Sequence, residues 1–148
     1  EIIPGDARLS LERPRTKSDR FDVMVVDAFS GDAIPVHLLT REASDVYWKA
    51  LHDDGILAIH VTNRHLDLTP VVRGMAKVAG KNAVYVANGS NLNAAVFRSN
   101  WILLTSNPAV LSGLVGVGQL LDDENSGTPI VWTDNFSNLF DVLEGRDD

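Results

Sequence analysis

The chain has 148 residues, of which 45% are hydrophobic and 22% charged, and its formal net charge is −7. A chain of this length suits one domain whose core needs neither metal nor disulfide staples. It contains no cysteine, which excludes disulfides and thiolate chemistry. The acidic balance argues against nucleic-acid binding, which requires a basic surface, and no apolar run reaches the roughly 18 residues of a membrane span. We expect a cytoplasmic protein with no nucleic-acid partner and no membrane contact by this segment.

Apolar patterning predicts alternating helices and strands. The clearest strand is Phe21–Phe29, because the continuous apolar run Val23–Val26 is typical of a strand covered on both faces. The clearest helix is Thr40–Leu51, with Thr40 as N-cap and one apolar stripe. The other predicted elements are a short helix over 7–12, a turn at Asp53-Asp54-Gly55, a strand over 56–62, a helix from Thr69-Pro70 to Gly80, strands over 83–87 and 101–105, helix and loop over 108–128, and a short helix from about Ser137.

The order of these elements predicts the fold class. Strands that alternate with helices favour βαβ units and a parallel sheet. The connection between 87 and 101 is too short for a crossover helix, so the strand that follows it is expected to run antiparallel. We predict an α/β fold with a Rossmann-like partial sheet, mostly parallel with an antiparallel last strand, and helices on both faces. The chain is treated as a single domain over 1–148.

Several nucleotide, metal and hydrolase motifs are absent from the sequence. Gly116 and Gly118 are not followed by the third glycine of a dinucleotide-binding loop. The four histidines lack the i, i+4 spacing of a zinc site, and His60 is expected to be a hydrogen-bonded core residue. Ser30 does not lie in a G-x-S-x-G nucleophile elbow. The sequence therefore predicts no metal site and no serine hydrolase.

Polar residues that follow the apolar strands form the candidate site. In open α/β sheets, ligands bind beyond the carboxyl ends of the strands. Asp27 and Asp32 follow the first full strand, Asn63 and Arg64 follow the next, and Asp6 precedes both. For Asp6 and Asp27 the alternative is a helix cap or loop anchor, since a carboxylate beside a buried strand must be hydrogen-bonded or solvated.

The same residues resemble a known family. The segments that carry the resemblance are Gly5–Arg8, Phe21–Phe29, Ile34–Glu42, Asp54–Ala58, His60–Arg64 and Trp132–Asn135. In this order and spacing they resemble the C-terminal half of the spermidine synthase family, which has the S-adenosylmethionine-dependent methyltransferase fold. The chain also begins without an initiator methionine, so we expect it to be cut, processed or a piece of a longer protein.

The resemblance implies a role for each matching residue. Asp6 would hydrogen-bond the adenine amino group of the nucleoside, and Ala7 would line the adenine pocket. Asp27 would be the catalytic carboxylate that orients or deprotonates an attacking amine. Asp32 and Asn63 would contact the substrate. The implied cofactor is S-adenosylmethionine or its decarboxylated form, and the implied partners are this nucleoside and an amine acceptor.

Departures from the family limit what can be expected. The family's Gly-rich loop, its acidic ribose ligand and its N-terminal β-domain have no counterpart in the chain, and the family's second aspartate is replaced by Ser30. A transferase would then be weakly active or inactive alone. The alternatives are a non-catalytic module that dimerises or binds a protein, and an α/β protein with another ligand. An open edge at 21–29 would need a cover, either residues 1–13 or a second copy in a homodimer.

Overall fold

The computed structural model describes residues 2–13, 16–27, 35–90 and 95–143. Its helices and strands are α1 (Ala7–Leu11), β1 (Phe21–Val26), α2 (Arg41–Ala50), β2 (Leu51–His60), α3 (Thr69–Ala79), β3 (Asn82–Asn88), β4 (Ser99–Thr105), α4 (Pro108–Val115) and β5 (Gln119–Leu121). Short 3₁₀ turns cover Lys17–Asp19, Val36–Leu38 and Leu139–Val142. None of the described helices is both long and apolar enough to span a membrane.

The helix ends follow the local signals in the sequence. Thr40 caps α2, since its hydroxyl accepts a hydrogen bond from the backbone N–H of Ala43 at 3.2 Å. Pro70 lies in the first turn of α3, and Gly80 ends that helix with φ of +64°, a left-handed conformation that glycine adopts without strain. These predicted helices are confirmed, as is the short α1.

The sheet is mostly antiparallel, so the prediction of a mostly parallel sheet is wrong. The strand order is β1-β2-β4-β3-β5, and only the β1/β2 pair is parallel among the described strands. The βαβ reasoning predicted the strand directions correctly, since β1, β2 and β3 run the same way. However, β4 returns through a short connection and inserts between β2 and β3, so both of its ladders are antiparallel. The short β5, predicted as helix or loop, adds another antiparallel edge.

Strand β2 begins earlier than predicted. It starts at Leu51, directly after α2, and the predicted turn at Asp53-Asp54-Gly55 lies within the strand. The pairing with β1 shifts there, because Phe21 opposes Leu51 whereas Val23 opposes Ile56. The turn residues therefore form an irregularity of the parallel ladder rather than a connection between elements.

One face of the sheet carries the core. Side chains from α2 and α3, including Tyr47, Val72 and Met75, pack there against Leu57 and Ile102 of the central strands. On the second face α4 contacts β3, where Gly118 lies close to the Val84 and Val86 side chains. Helices thus flank both faces, and among the described helices α4 contacts the second face at β3.

Strand β1 is an edge strand with one open face, although its sequence predicts cover on both. Met24 is buried, whereas Val23 and Val25 on the opposite face are 53% and 59% exposed. Helix α1 packs against α2, and no described residue of 2–13 pairs with β1. The predicted cover by residues 1–13 is therefore not present in the described part, and cover by a second copy stays a prediction.

Candidate functional site

The polar edge of the sheet lies where β1 and β2 end. The two strands are parallel, so Asp27 after β1 and Val61–Arg64 after β2 emerge at the same edge. Strand β4 begins there as well, since the Val61 N–H donates to the carbonyl of Asn100 at 2.9 Å. This edge is the place where open α/β sheets bind ligands.

A continuous chain of polar side chains crosses this edge. Asp27 Oδ1 lies 2.8 Å from His60 Nδ1, and His60 Nε2 lies 2.7 Å from Thr62 Oγ1. Thr62 Oγ1 also accepts a hydrogen bond from the backbone N–H of Asn100 at 2.7 Å. The hydroxyl proton of Thr62 is therefore available to His60 Nε2, which leaves His60 Nδ1–H to donate to Asp27. His60 also stacks on the Trp101 ring at 4.7 Å.

This arrangement holds a half-exposed carboxylate in a fixed position. The Asp27 side chain is 53% exposed, whereas that of His60 is 21% exposed. An anchored carboxylate with one face open to solvent can bind a cationic amine and accept its proton. The sequence predicts Asp27 at this site, whereas it predicts His60 as a hydrogen-bonded core residue. The missed signal is that both residues come at the ends of neighbouring parallel strands.

Asp6 is the N-cap of α1, and Ala7 is the first residue of that helix. Asp6 Oδ1 accepts from the Leu9 N–H at 3.0 Å, and Asp6 Oδ2 lies 3.2 Å from His37 Nε2. The Leu9 hydrogen bond lowers the pKa of the Asp6 carboxyl, and His37 adds to the effect. The helix-cap alternative is thus realised for Asp6, while the adenine contacts of Asp6 and Ala7 stay predictions.

The remaining site candidates have separate surroundings. Asn63 Oδ1 accepts from the N–H groups of His65 and Leu66, which anchors the loop after β2. Asn63, Thr62 and Arg64 also line a cavity of about 880 Å³ beside the polar edge. Asp32 lies outside the described residues. Within the described ranges, no three carboxylate or histidine side chains converge as a metal site would require.

An ion-pair network joins α1 to the C-terminal segment of the chain. Arg8 donates to both carboxylate oxygens of Asp134 at 2.7 and 2.6 Å, and also to the carbonyl of His37. The Thr40 hydroxyl donates to Asp134 Oδ1 at 2.8 Å. The Arg8 guanidinium lowers the pKa of Asp134 to about 2, with help from Thr40. Two segments that carry the family resemblance, 126 residues apart, therefore meet here.

This network predicts a pH dependence of stability. The folded pKa of Asp134 lies below the unfolded value, which for aspartate is about 3.9. Its contribution is present above the unfolded pKa and is lost as the pH falls from about 4 toward 2. Urea unfolding across this range should show a loss of stability that is smaller in Asp134→Asn. Asp45→Asn, at an exposed α2 position without described partners, is the control. Equal pH dependence in the wild type and Asp134→Asn would contradict the assignment.

Comparison with solved structures finds a similar fold over most of the chain, and comparison of sequences finds similarity over a shorter segment. No family model matches the chain. A polyamine aminopropyltransferase from Vibrio vulnificus (strain CMCP6) is 40% identical over 56 residues, which are 38% of this chain and 19% of that protein. The crystal structure of a probable spermidine synthase from Corynebacterium glutamicum ATCC 13032 covers 90% of this chain with a TM-score of 0.51 and 19% identity. The chain spans 55% of that structure.

The chain is an α/β protein, and over nine-tenths of its length its fold is similar to that of the probable spermidine synthase. The predicted resemblance to the spermidine synthase family is confirmed, and it is partial. Sequence similarity supports it over 56 residues, and the structure supports the fold beyond them.

Proposed function

We propose that the chain is a nucleoside-binding transferase domain of the spermidine synthase type. In this proposal S-adenosylmethionine or its decarboxylated form is the donor, and an amine is the acceptor at Asp27. The observation that carries the proposal is the Asp27–His60–Thr62 chain at the edge where β1 and β2 end. Partial similarity to a polyamine aminopropyltransferase supports the same chemistry.

The reaction requires little beyond alignment and one proton acceptor. The amine arrives protonated, and Asp27 binds this cation and takes one proton. The amine lone pair then attacks the carbon beside the sulfonium, so a C–N bond forms as the C–S bond breaks. The sulfur leaves as a neutral thioether, and a second proton leaves the new ammonium. His60 is proposed to position the carboxylate. The rate enhancement would come mainly from the alignment of donor and acceptor.

The donor half of this site is proposed to be weak in the chain alone. The sequence carries neither the family's Gly-rich loop nor its acidic ribose ligand. Backbone N–H groups and a carboxylate that would hold the nucleoside are therefore missing from the proposed site. We expect measurable but weak nucleoside binding, and little turnover.

Isothermal titration calorimetry with methylthioadenosine and putrescine tests this function. We expect weak binding of the nucleoside, and putrescine binding that falls about tenfold in Asp27→Asn, because a charge-assisted hydrogen bond is lost. The nucleoside affinity of Asp27→Asn should be unchanged, and Asp45→Asn should match the wild type for both ligands. Unchanged putrescine binding in Asp27→Asn, or no nucleoside binding at all, would contradict the proposal.

The open face of β1 favours a second candidate function, a module that dimerises or binds a protein partner. Val23 and Val25 are more than half exposed on an edge strand, where unpaired backbone groups can extend a sheet into another chain. Light scattering on the calorimetry samples separates the two candidates. A stable dimer that binds no nucleoside favours the second.

A further inference from the structure

The cavity beside the polar edge is lined by more positive than negative charge. Its charged lining residues are Arg64, Arg98 and Asp67. Both arginines are exposed, and neither has an ion-pair partner within the described part of the chain. The formal net charge of the protein is −7, so two arginines without carboxylate partners at one cavity form a local exception.

Two acceptors of the cavity wall, on Asn63 and Asp67, bind backbone N–H groups of the protein itself. Asn63 Oδ1 already accepts two backbone N–H groups, from His65 at 2.9 Å and Leu66 at 3.1 Å. Asp67 Oδ1 accepts from the N–H of Thr69 at 2.9 Å. Three donor groups of the lining are left for a ligand: the two guanidinium groups and the side-chain amide of Asn63.

A second part of the cavity wall is held in place by a buried arginine. Arg73 on α3 is 4% exposed and donates to the backbone carbonyls of Asp122, Ser126 and Gly127. These bonds fix the loop after β5, which contributes Asn125, Ser126 and Gly127 to the cavity lining. A wall that is already ordered lowers the entropy that a ligand must lose on binding.

We propose that this cavity binds a small molecule bearing a carboxylate or phosphate group, with Arg64 and Arg98 as its charged contacts. Guanidinium groups bind both anions through paired N–H donors. A volume of about 880 Å³ holds a metabolite-sized ligand. A polyamine is a poor match, since Asp67 is the one carboxylate among the described lining residues. The proposal goes beyond nucleoside binding and does not depend on it.

Titrations at constant ionic strength test this proposal with citrate and pyrophosphate as the carboxylate and phosphate probes, and spermidine as the cationic counter-probe. We expect saturable binding of at least one anion, weakened at least tenfold in Arg64→Gln and in Arg98→Gln. Arg13→Gln removes the same charge at an exposed position outside this cavity, and its affinity should equal that of the wild type. The stronger anion distinguishes a carboxylate ligand from a phosphate ligand.

A second measurement needs no variant. NMR signals of the Arg64 and Arg98 side-chain N–H groups should shift during the anion titration of the wild-type chain. Three results would overturn the proposal: no saturation by either anion up to about 10 mM, equal weakening in Arg13→Gln, or saturable spermidine binding that is lost in Asp67→Asn. Methylthioadenosine carries neither a carboxylate nor a phosphate, and it is titrated separately. A failure of this proposal can therefore be distinguished from a failure of the transferase proposal.

Discussion

Replacing Gly74 by alanine should destabilise the protein by about 3 kcal/mol or more, the upper end of the range for overpacking a core. Gly74 lies inside α3, at the point where the segment that follows β5 crosses the helix and the two backbones are in contact. A Cβ at Gly74 would lie 1.9 Å from the carbonyl oxygen of Ile130. Ile130 N–H also donates to the Pro70 carbonyl at 2.9 Å, so the helix and the segment cannot separate without losing that bond.

The expected change in the free energy of unfolding is opposite in sign to the change that helix propensity alone predicts, so the two effects can be told apart. An alanine in a helix interior is normally favoured over glycine by about 0.5–1 kcal/mol. Gly113 in α4 is the matched control, since a Cβ there would meet nothing within 4 Å. Urea unfolding should show Gly113→Ala slightly more stable than the wild type and Gly74→Ala far less stable. Similar stabilities for the two variants would show that α3 does not contact the Ile130 backbone.

Replacing Trp132 by alanine should cost about 3–5 kcal/mol of unfolding free energy. Trp132 is 1% exposed and belongs to the core, although it lies in a segment without regular secondary structure. Its carbonyl also accepts the Arg41 N–H at 2.8 Å, which ties this segment to the start of α2. Alanine keeps this backbone bond, so the loss would come from the large cavity that the missing indole leaves.

Trp132→Phe separates the effect of the apolar ring from the effect of the indole N–H. The indole Nε1–H is buried and finds no acceptor among the described residues. A buried donor without a partner costs about 1–3 kcal/mol, so phenylalanine removes this penalty while it keeps most of the apolar ring. Urea unfolding should place Trp132→Phe within about 1.5 kcal/mol of the wild type. A phenylalanine variant as unstable as the alanine variant would show that the indole N–H does have a partner.

The sequence predicts helices well here because their end signals are local. Thr40, Pro70 and Gly80 each act within one helical turn, and α2 and α3 lie where these residues indicate. The strand order depends on which strands find each other in space, and no local pattern encodes it. The insertion of β4 between β2 and β3 therefore could not be read from the chain. The open face of β1 is not predicted, because an apolar run does not indicate which other element packs against it.

The candidate site was predictable to the same extent. The rule that ligands bind at strand ends located Asp27 and Asn63, since it requires only the position of two strands. The partners of these residues depend on tertiary contacts. The pairing of His60 with Asp27 requires the parallel register of β1 and β2, and the Arg8–Asp134 pair joins the two ends of the chain. Both pairs join residues that are far apart in the sequence, and no periodic pattern indicates such contacts.

We propose that the edge where β1 and β2 end binds the reacting molecules, with Asp27 held by His60. Backbone-amide NMR during a combined titration with methylthioadenosine and putrescine tests it most directly. We expect shifts at Asp27 and at residues 60–63, together with a shift of the His60 ring signals. Shifts confined to other surfaces, or none at saturating ligand, would contradict it.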